Sequence, residues 1–215
     1  IDCVCSSRVI NTVSLVTERV AMLNAHLREL EETHGRESSS VRLLAISKRQ
    51  PVEKIVAAWQ AGCRDFGENY LQEALEKQQA LSDYAITWHF TGRIQRNKAQ
   101  LIAAHFNWVH SVASVQLARR LSVARAADQP DLNVCIQLNY DEQDSKAGVS
   151  IDELLEVARE VAGLPKIALR GIMVLPRLRT QYTDQLAVFT AVAQQLRLLQ
   201  SQGLLCDTLS MGMTQ

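Results

Sequence analysis

The sequence lacks any excess of charge: Lys plus Arg and Asp plus Glu both number 23 in 215 residues, a formal net charge of zero. General nucleic-acid binders and membrane-surface binders carry a basic excess, so neither partner is expected. A local positive pocket for one small anion stays open. Long apolar runs are missing too; none approaches the roughly 18 residues that span a bilayer. Ile1 to Val20 has no basic stretch followed by a clean apolar block, so no signal peptide is expected and the expected location is cytoplasmic. Proline and glycine are scarce, 4 and 9 residues, and no low-complexity tract divides the chain. The cysteines Cys3, Cys5, Cys63, Cys135 and Cys206 are odd in number and scattered, unlike a disulfide framework. Cys3-x-Cys5 has no second ligand pair at metal-site spacing, so reduced thiols and no metal are expected.

What is present is 47% apolar and 21% charged, the composition of a packed globular chain, and one domain over residues 1–215 is expected. Residues 1–12 are expected to be a disordered or additional N-terminal segment. Val13, Val16, Val20, Leu23, Leu27 and Leu30 form a seam on one helical face, closed by His34-Gly35. A rhythm follows. The strand candidates are Val41–Ser47, Arg64–Gly67, Thr87–Thr91, Trp108–Val112, Leu132–Leu138, Ala168–Leu175 and Thr208–Met213. Helices are predicted from Pro51 to near Gly62, Tyr70 to about Leu81, Gln95 to Ala104, Ser114 to Ala127, behind the capping box Ser150-Ile-Asp-Glu153, and through Tyr182, Leu186, Phe189, Ala193 and Leu196. Seven strands alternating with six helices behind a leading helix imply parallel strands covered by helices. A doubly wound dinucleotide sheet would carry G-x-G-x-x-G after its first strand, and none occurs. The fold class expected is α/β, a (β/α)8 TIM-type barrel with a leading N-terminal helix, one strand short at the C-terminus.

In such a barrel, chemistry gathers where strands end. Those positions hold Lys48, Gly67-Glu68-Asn69, His89, Gly92, Asn139, Ser145-Lys146, Met173 and Ser210-Met211-Gly212. Clustered carboxylates or histidines for a metal are lacking, as is a Ser-His-Asp order with an elbow. Lys48 ends a strand that is apolar on both faces. A lysine there is expected to be partly desolvated, which favours the free amine and condensation with an aldehyde. On spacing alone the simpler reading is preferred, that Lys48 marks the solvent end of a buried strand, with Arg49 beside it. Ser210 and Gly212 can form a plain turn, or a hydroxyl and open amides for a phosphate. His89 reads as an interior histidine, Lys146 as a solvated loop charge, and Trp59, Trp88 and Trp108 as core.

Read together, the motifs are less ambiguous. Leu43-Leu-Ala-Ile-Ser-Lys48, Phe66-Gly-Glu-Asn-Tyr70 with Gln72-Glu73, and Trp88-His-Phe-x-Gly92 with Gln95-x-Asn97-Lys98 come in order, followed by Ser145-Lys-x-Gly148, Arg170-Gly-x-Met173 and Leu209-Ser-Met-Gly-Met213. The series strongly resembles the pyridoxal phosphate homeostasis protein family, from about Val13 to Met213. The resemblance implies a single barrel like the N-terminal domain of alanine racemase. It implies pyridoxal 5′-phosphate (PLP) held as a Schiff base on Lys48, with Asn69 and His89 near the cofactor, Met173 lining the ring pocket, and Ser210 with Gly212 in the phosphate cup. It implies a non-catalytic carrier that buffers PLP or delivers it to PLP-dependent apoenzymes, and a monomer is expected. The alternative is a PLP-dependent, racemase-like enzyme. Racemisation on this fold takes a second base, a tyrosine supplied with a second, β-rich domain, for which no residues remain. The family pattern continues through a further helix to an eighth strand that carries an arginine facing the pyridine nitrogen and Gly-Thr amides at the phosphate. The sequence instead reads Met213-Thr214-Gln215, so that strand is not expected here, and Ala113 stands where an acidic residue is common.

Overall fold

The computed structural model describes residues 3–141 and 147–212, with side chains from residue 14 onward. These residues fall into two compact units that divide between Trp88 and His89.

The first unit opens with α1 (Cys3–Thr33). Its inward face is Val16, Val20, Leu27 and Glu31, whereas Leu23 and Leu30 are exposed, so only part of the expected apolar seam is used. Glu31 explains the shift. Its buried carboxylate accepts the amides of Val41 (2.6 Å) and Ser39 (2.9 Å), while Arg28 pairs with it and donates to the Val41 carbonyl at 2.7 Å. Both backbone groups of Val41 are thereby taken by helix side chains. The expected strand over 41–47 contracts to β1 (Leu44–Ile46).

Pro51 then caps α2 (Val52–Gln60), which buries Ile55, Ala57 and Ala58 and ends at Gly62 with φ +100°. Next come β2 (Asp65–Glu68), parallel to β1 with Ile46 opposite Gly67, and α3 (Leu71–Ala80). At Gly67 a Cβ would lie 2.5 Å from Ile46 Cδ1, the movable end of an exposed side chain, so a larger residue there would have to displace Ile46. The chain enters β3 (Thr87–Phe90) with the Thr87 amide donating to Arg64 O at 2.8 Å.

In the second unit, β3 continues beside β4 (Trp108–Val112), followed in pairing order by β5 (Leu132–Leu138), β6 (Ile167–Val174) and β7 (Thr208–Ser210), all parallel. The crossovers are α4 (Ala99–His105), α5 (Val115–Ala124), α6 (Leu154–Ala162) and α7 (Tyr182–Ser201). Burial of every residue of β4 fits parallel strands covered on both faces. Two sequence expectations shorten. Helix α5 stops at Ala124, not Ala127, because Arg125 leaves the helix and donates to the carbonyls of Pro130, Ala103 and Phe106. The last strand ends at Ser210, and Met213 lies outside the described residues.

The sheet of this unit curves strongly. Strands β5 and β6 intervene between β4 and β7 in the pairing order, yet His110 of β4 meets Ser210 of β7 at 2.7 Å. Side chains on its concave face therefore converge, as in a barrel interior. A bulge sharpens the convergence. Val134 pairs with Leu169 and Cys135 with Gly171, which leaves Arg170 as the extra residue on β6.

Candidate functional site

In the first unit, the register that sets Ile46 beside Gly67 carries on through the Ser47 amide, which donates to Gly67 O at 2.9 Å. Lys48 follows the C-terminal end of β1 by two residues and Asn69 follows that of β2 by one. Asn69 is half-buried, whereas Lys48 is exposed. The expected partial desolvation of Lys48 is thus corrected. Among the described residues β1 pairs with β2 alone, and Ile46 is itself 46% exposed, so the strand is not covered on both faces.

The backbone around Lys48 is nevertheless tightly fixed. Ser47 Oγ donates to Glu68 Oε1 at 2.6 Å, the Arg49 amide donates to Glu73 Oε1 at 2.5 Å, and Lys77 Nζ donates to Ser47 O. Glu68 is wholly buried and Lys77 nearly so. Burial works to raise the Glu73 carboxyl, but the hydrogen bonds from Lys77 and the Arg49 amide, with the charges of Lys77 and Arg49, hold it below the usual carboxylate range. Lys77 escaped the sequence reading, where its one visible signal was the Glu73–Lys77 spacing of four on a helix.

In the second unit, three expected residues come together. His89 stacks on Trp108, with ring centroids 5.5 Å apart and planes 13° from parallel. Trp108 shares a buried cluster with Cys135 and Met173. His110, not singled out from sequence, links the set: its Nε2 lies 2.9 Å from His89 Nδ1 and its Nδ1 lies 2.7 Å from Ser210 Oγ. Strand alternation from Trp108 to His110 was the available signal. Below them, bulged Arg170 lies over the Trp108 ring, donates to Asn133 Oδ1 at 3.0 Å and pairs with Asp207.

Gly212, two residues beyond Ser210, has φ +137° and is exposed, with open space where a Cβ would project. It borders a cleft of about 220 Å³ that Arg177, Arg179, Gln185 and Phe189 also line. Arg179 is paired with Asp141 at 2.5 Å. Lys146 lies outside the described residues. No described group of three or more His, Cys, Asp or Glu residues is placed to hold a metal ion.

The described residues therefore offer an amine on a fixed backbone in one unit, and a buried aromatic stack and a hydroxyl-bearing turn in the other. The model of the family "Alanine racemase, N-terminal domain" matches residues 20–215. The pyridoxal phosphate homeostasis protein of Pseudomonas aeruginosa is 45% identical over 202 residues, which cover 94% of this chain and 86% of that protein. The structure of PipY from Synechococcus elongatus PCC7942 with PLP bound is 33% identical, with a TM-score of 0.77 over 93% of this chain and 89% of that one. Alanine racemase from Corynebacterium glutamicum, 18% identical with a TM-score of 0.62, shares the fold over 89% of this chain and 53% of its own. With its motifs in order, its parallel α/β barrel-type fold and relatives of this identity and coverage, the chain belongs to the alanine racemase N-terminal domain family and, within it, to the pyridoxal phosphate homeostasis proteins.

Proposed function

We propose that this protein binds PLP and serves its homeostasis, holding the cofactor covalently through Lys48 without turnover of its own. The observation that carries the reading is Lys48 itself: an exposed amine at the end of β1, with both neighbouring residues hydrogen-bonded in place. When bound, PLP supplies an aldehyde whose condensation with a lysine amine forms a carbon–nitrogen double bond and releases water.

Each unit, taken by itself, offers groups that such a ligand can use. In the first unit, Lys48 supplies the amine and Asn69 an amide side chain. In the second, His89 and Met173, which lie against Trp108, are the residues we assign to the ring of the cofactor. Ser210 Oγ and the open turn at Gly212 suit a phosphate, beside a cleft that two arginines line. The relative that is 45% identical over 94% of this chain is named for pyridoxal phosphate homeostasis, and this supports holding rather than turnover.

The test is direct. Protein incubated with PLP should turn yellow, and borohydride reduction followed by peptide mapping should place the pyridoxyl label on Lys48. Lys48→Ala should lose the label and keep a cooperative thermal transition, because an exposed side chain contributes little to the core. A label on another lysine overturns the site assignment. Lys48-dependent exchange of the α-proton of an amino acid overturns the absence of turnover.

A further inference from the structure

We propose that Lys77 is a positioning residue for Lys48: its buried ammonium, acting through Glu68 and Glu73, clamps the backbone on both sides of the reactive lysine. This rests on the assignment of Lys48 made above.

An ammonium has three protons to donate. Those of Lys77 meet three acceptors: Ser47 O at 2.7 Å, Glu68 Oε1 at 2.7 Å and Glu73 Oε1 at 2.6 Å. Every one of these leads to a neighbour of residue 48. The Ser47 carbonyl is held directly, the Ser47 hydroxyl is held by the same Glu68 oxygen, and the Arg49 amide is held by the same Glu73 oxygen. One cation thus organises both flanks of Lys48.

The backbone there needs holding. Arg49 has φ +59°, a left-handed conformation that a residue with a Cβ adopts only when its surroundings impose it. The Glu73 oxygen on the Arg49 amide supplies that constraint and turns the chain immediately after Lys48. A flexible four-carbon side chain that must present its amine to an aldehyde gains from a fixed starting point, because small misplacements of reacting groups slow a reaction steeply. Stability is a weaker explanation for the cluster. Burying an ammonium among carboxylates costs desolvation that apolar side chains of similar volume would avoid. Lys77 is also unsuited to be the nucleophile, since all its protons are engaged and it is buried.

Glu73 gives the cleanest test, because it is partly exposed and lies at the periphery of the cluster. Glu73→Ala removes the acceptor of the Arg49 amide, whereas Glu73→Gln keeps an acceptor oxygen. Two quantities are measured well below the thermal transition: hydrogen exchange of the Arg49 amide in PLP-free protein, and the rate at which PLP is captured, with borohydride mapping of the label. Glu73→Ala should lose Arg49 protection and capture PLP about tenfold to a hundredfold more slowly. Glu73→Gln should restore most of both, and Lys77→Met, if it folds, should be at least as slow as Glu73→Ala. Wild-type capture rates in Glu73→Ala, or unchanged Arg49 protection, overturn the clamp even with Lys48 correctly labelled. A lowered melting temperature with an unchanged capture rate overturns it as well, in favour of a purely structural cluster. If the wild-type protein is not labelled on Lys48, the assignment of Lys48 falls first and takes the clamp with it.

Discussion

Gly171 shows how narrowly single residues set this architecture. It has φ +151°, and a Cβ built on it would lie 1.9 Å from the Thr208 carbonyl oxygen of β7, a backbone atom that cannot swing aside as a side chain would. Gly171→Ala combines a disfavoured conformation with a collision, and should destabilise the protein by about 3 kcal/mol or more. Urea denaturation measures this, and a loss below about 1 kcal/mol would contradict the geometry. Since Met173 pairs with Ser210 two residues further on, moving β7 should also separate Ser210 from His110. At this scale the sequence located Lys48, His89, Met173 and Ser210 at or next to strand ends, where the structure has them, because apolar runs mark the strands. It hid Lys77 and His110, whose partners are brought to them by tertiary folding: β1 and β2 for the lysine, β7 for the histidine. It also misjudged the burial of Lys48, since the apolar pattern of β1 does not reveal that, among the described residues, only β2 pairs with it.

Elements were most legible where their ends are sealed locally. The box read from Ser150 and Glu153 forms: the Glu153 amide donates to Ser150 Oγ at 3.3 Å, while the Ser150 amide and hydroxyl donate to Glu153 Oε2 at 3.2 and 2.6 Å. Helix α6 follows at Leu154. Ser150→Ala should cost about 1 kcal/mol, measured by chemical denaturation, with Ser150→Asn or Ser150→Asp retaining most of the stability. No change in Ser150→Ala would show the box to be ornamental. The Ser150 hydroxyl and then its amide also hold the Glu153 carboxyl below its ordinary value, so the contribution of the pair fades in acid. Ends sealed by distant groups were not legible. Strand β1 starts late because Arg28 and Glu31 capture Val41, and α5 stops early because Arg125 turns to carbonyls around the end of α4. Periodicity reports which residues repeat, but not which remote side chain will claim a backbone group.

For the molecule as a whole, the carboxylates that fasten these elements share one sign of shift. Burial works to raise Glu31, Glu73, Asp141 and Asp207. In each case the opposing hydrogen bonds and charges win and hold the carboxyl below its ordinary value: the Val41 and Ser39 amides with Arg28 for Glu31, Lys77 with the Arg49 amide for Glu73, Arg179 for Asp141, and Arg170 for Asp207. A carboxyl depressed in the folded state binds its proton more weakly than in the unfolded chain, so over that interval the unfolded state holds more protons and stability rises with pH. The contribution is complete above the unfolded carboxylate values, near 4, and is lost as pH falls through the depressed folded values. Urea midpoints should therefore stay level between about pH 6 and 8 as far as these groups are concerned, then fall increasingly below about pH 4.5. Glu31→Gln isolates one contributor: it should lower stability at pH 7, by leaving Arg28 without its charge partner, and flatten the acid limb, because one proton uptake is removed. Parallel acid limbs for Glu31→Gln and wild type would mean that Glu31 keeps an ordinary carboxyl in the fold, and that the junction of α1 with β1 is held by packing rather than by its charge.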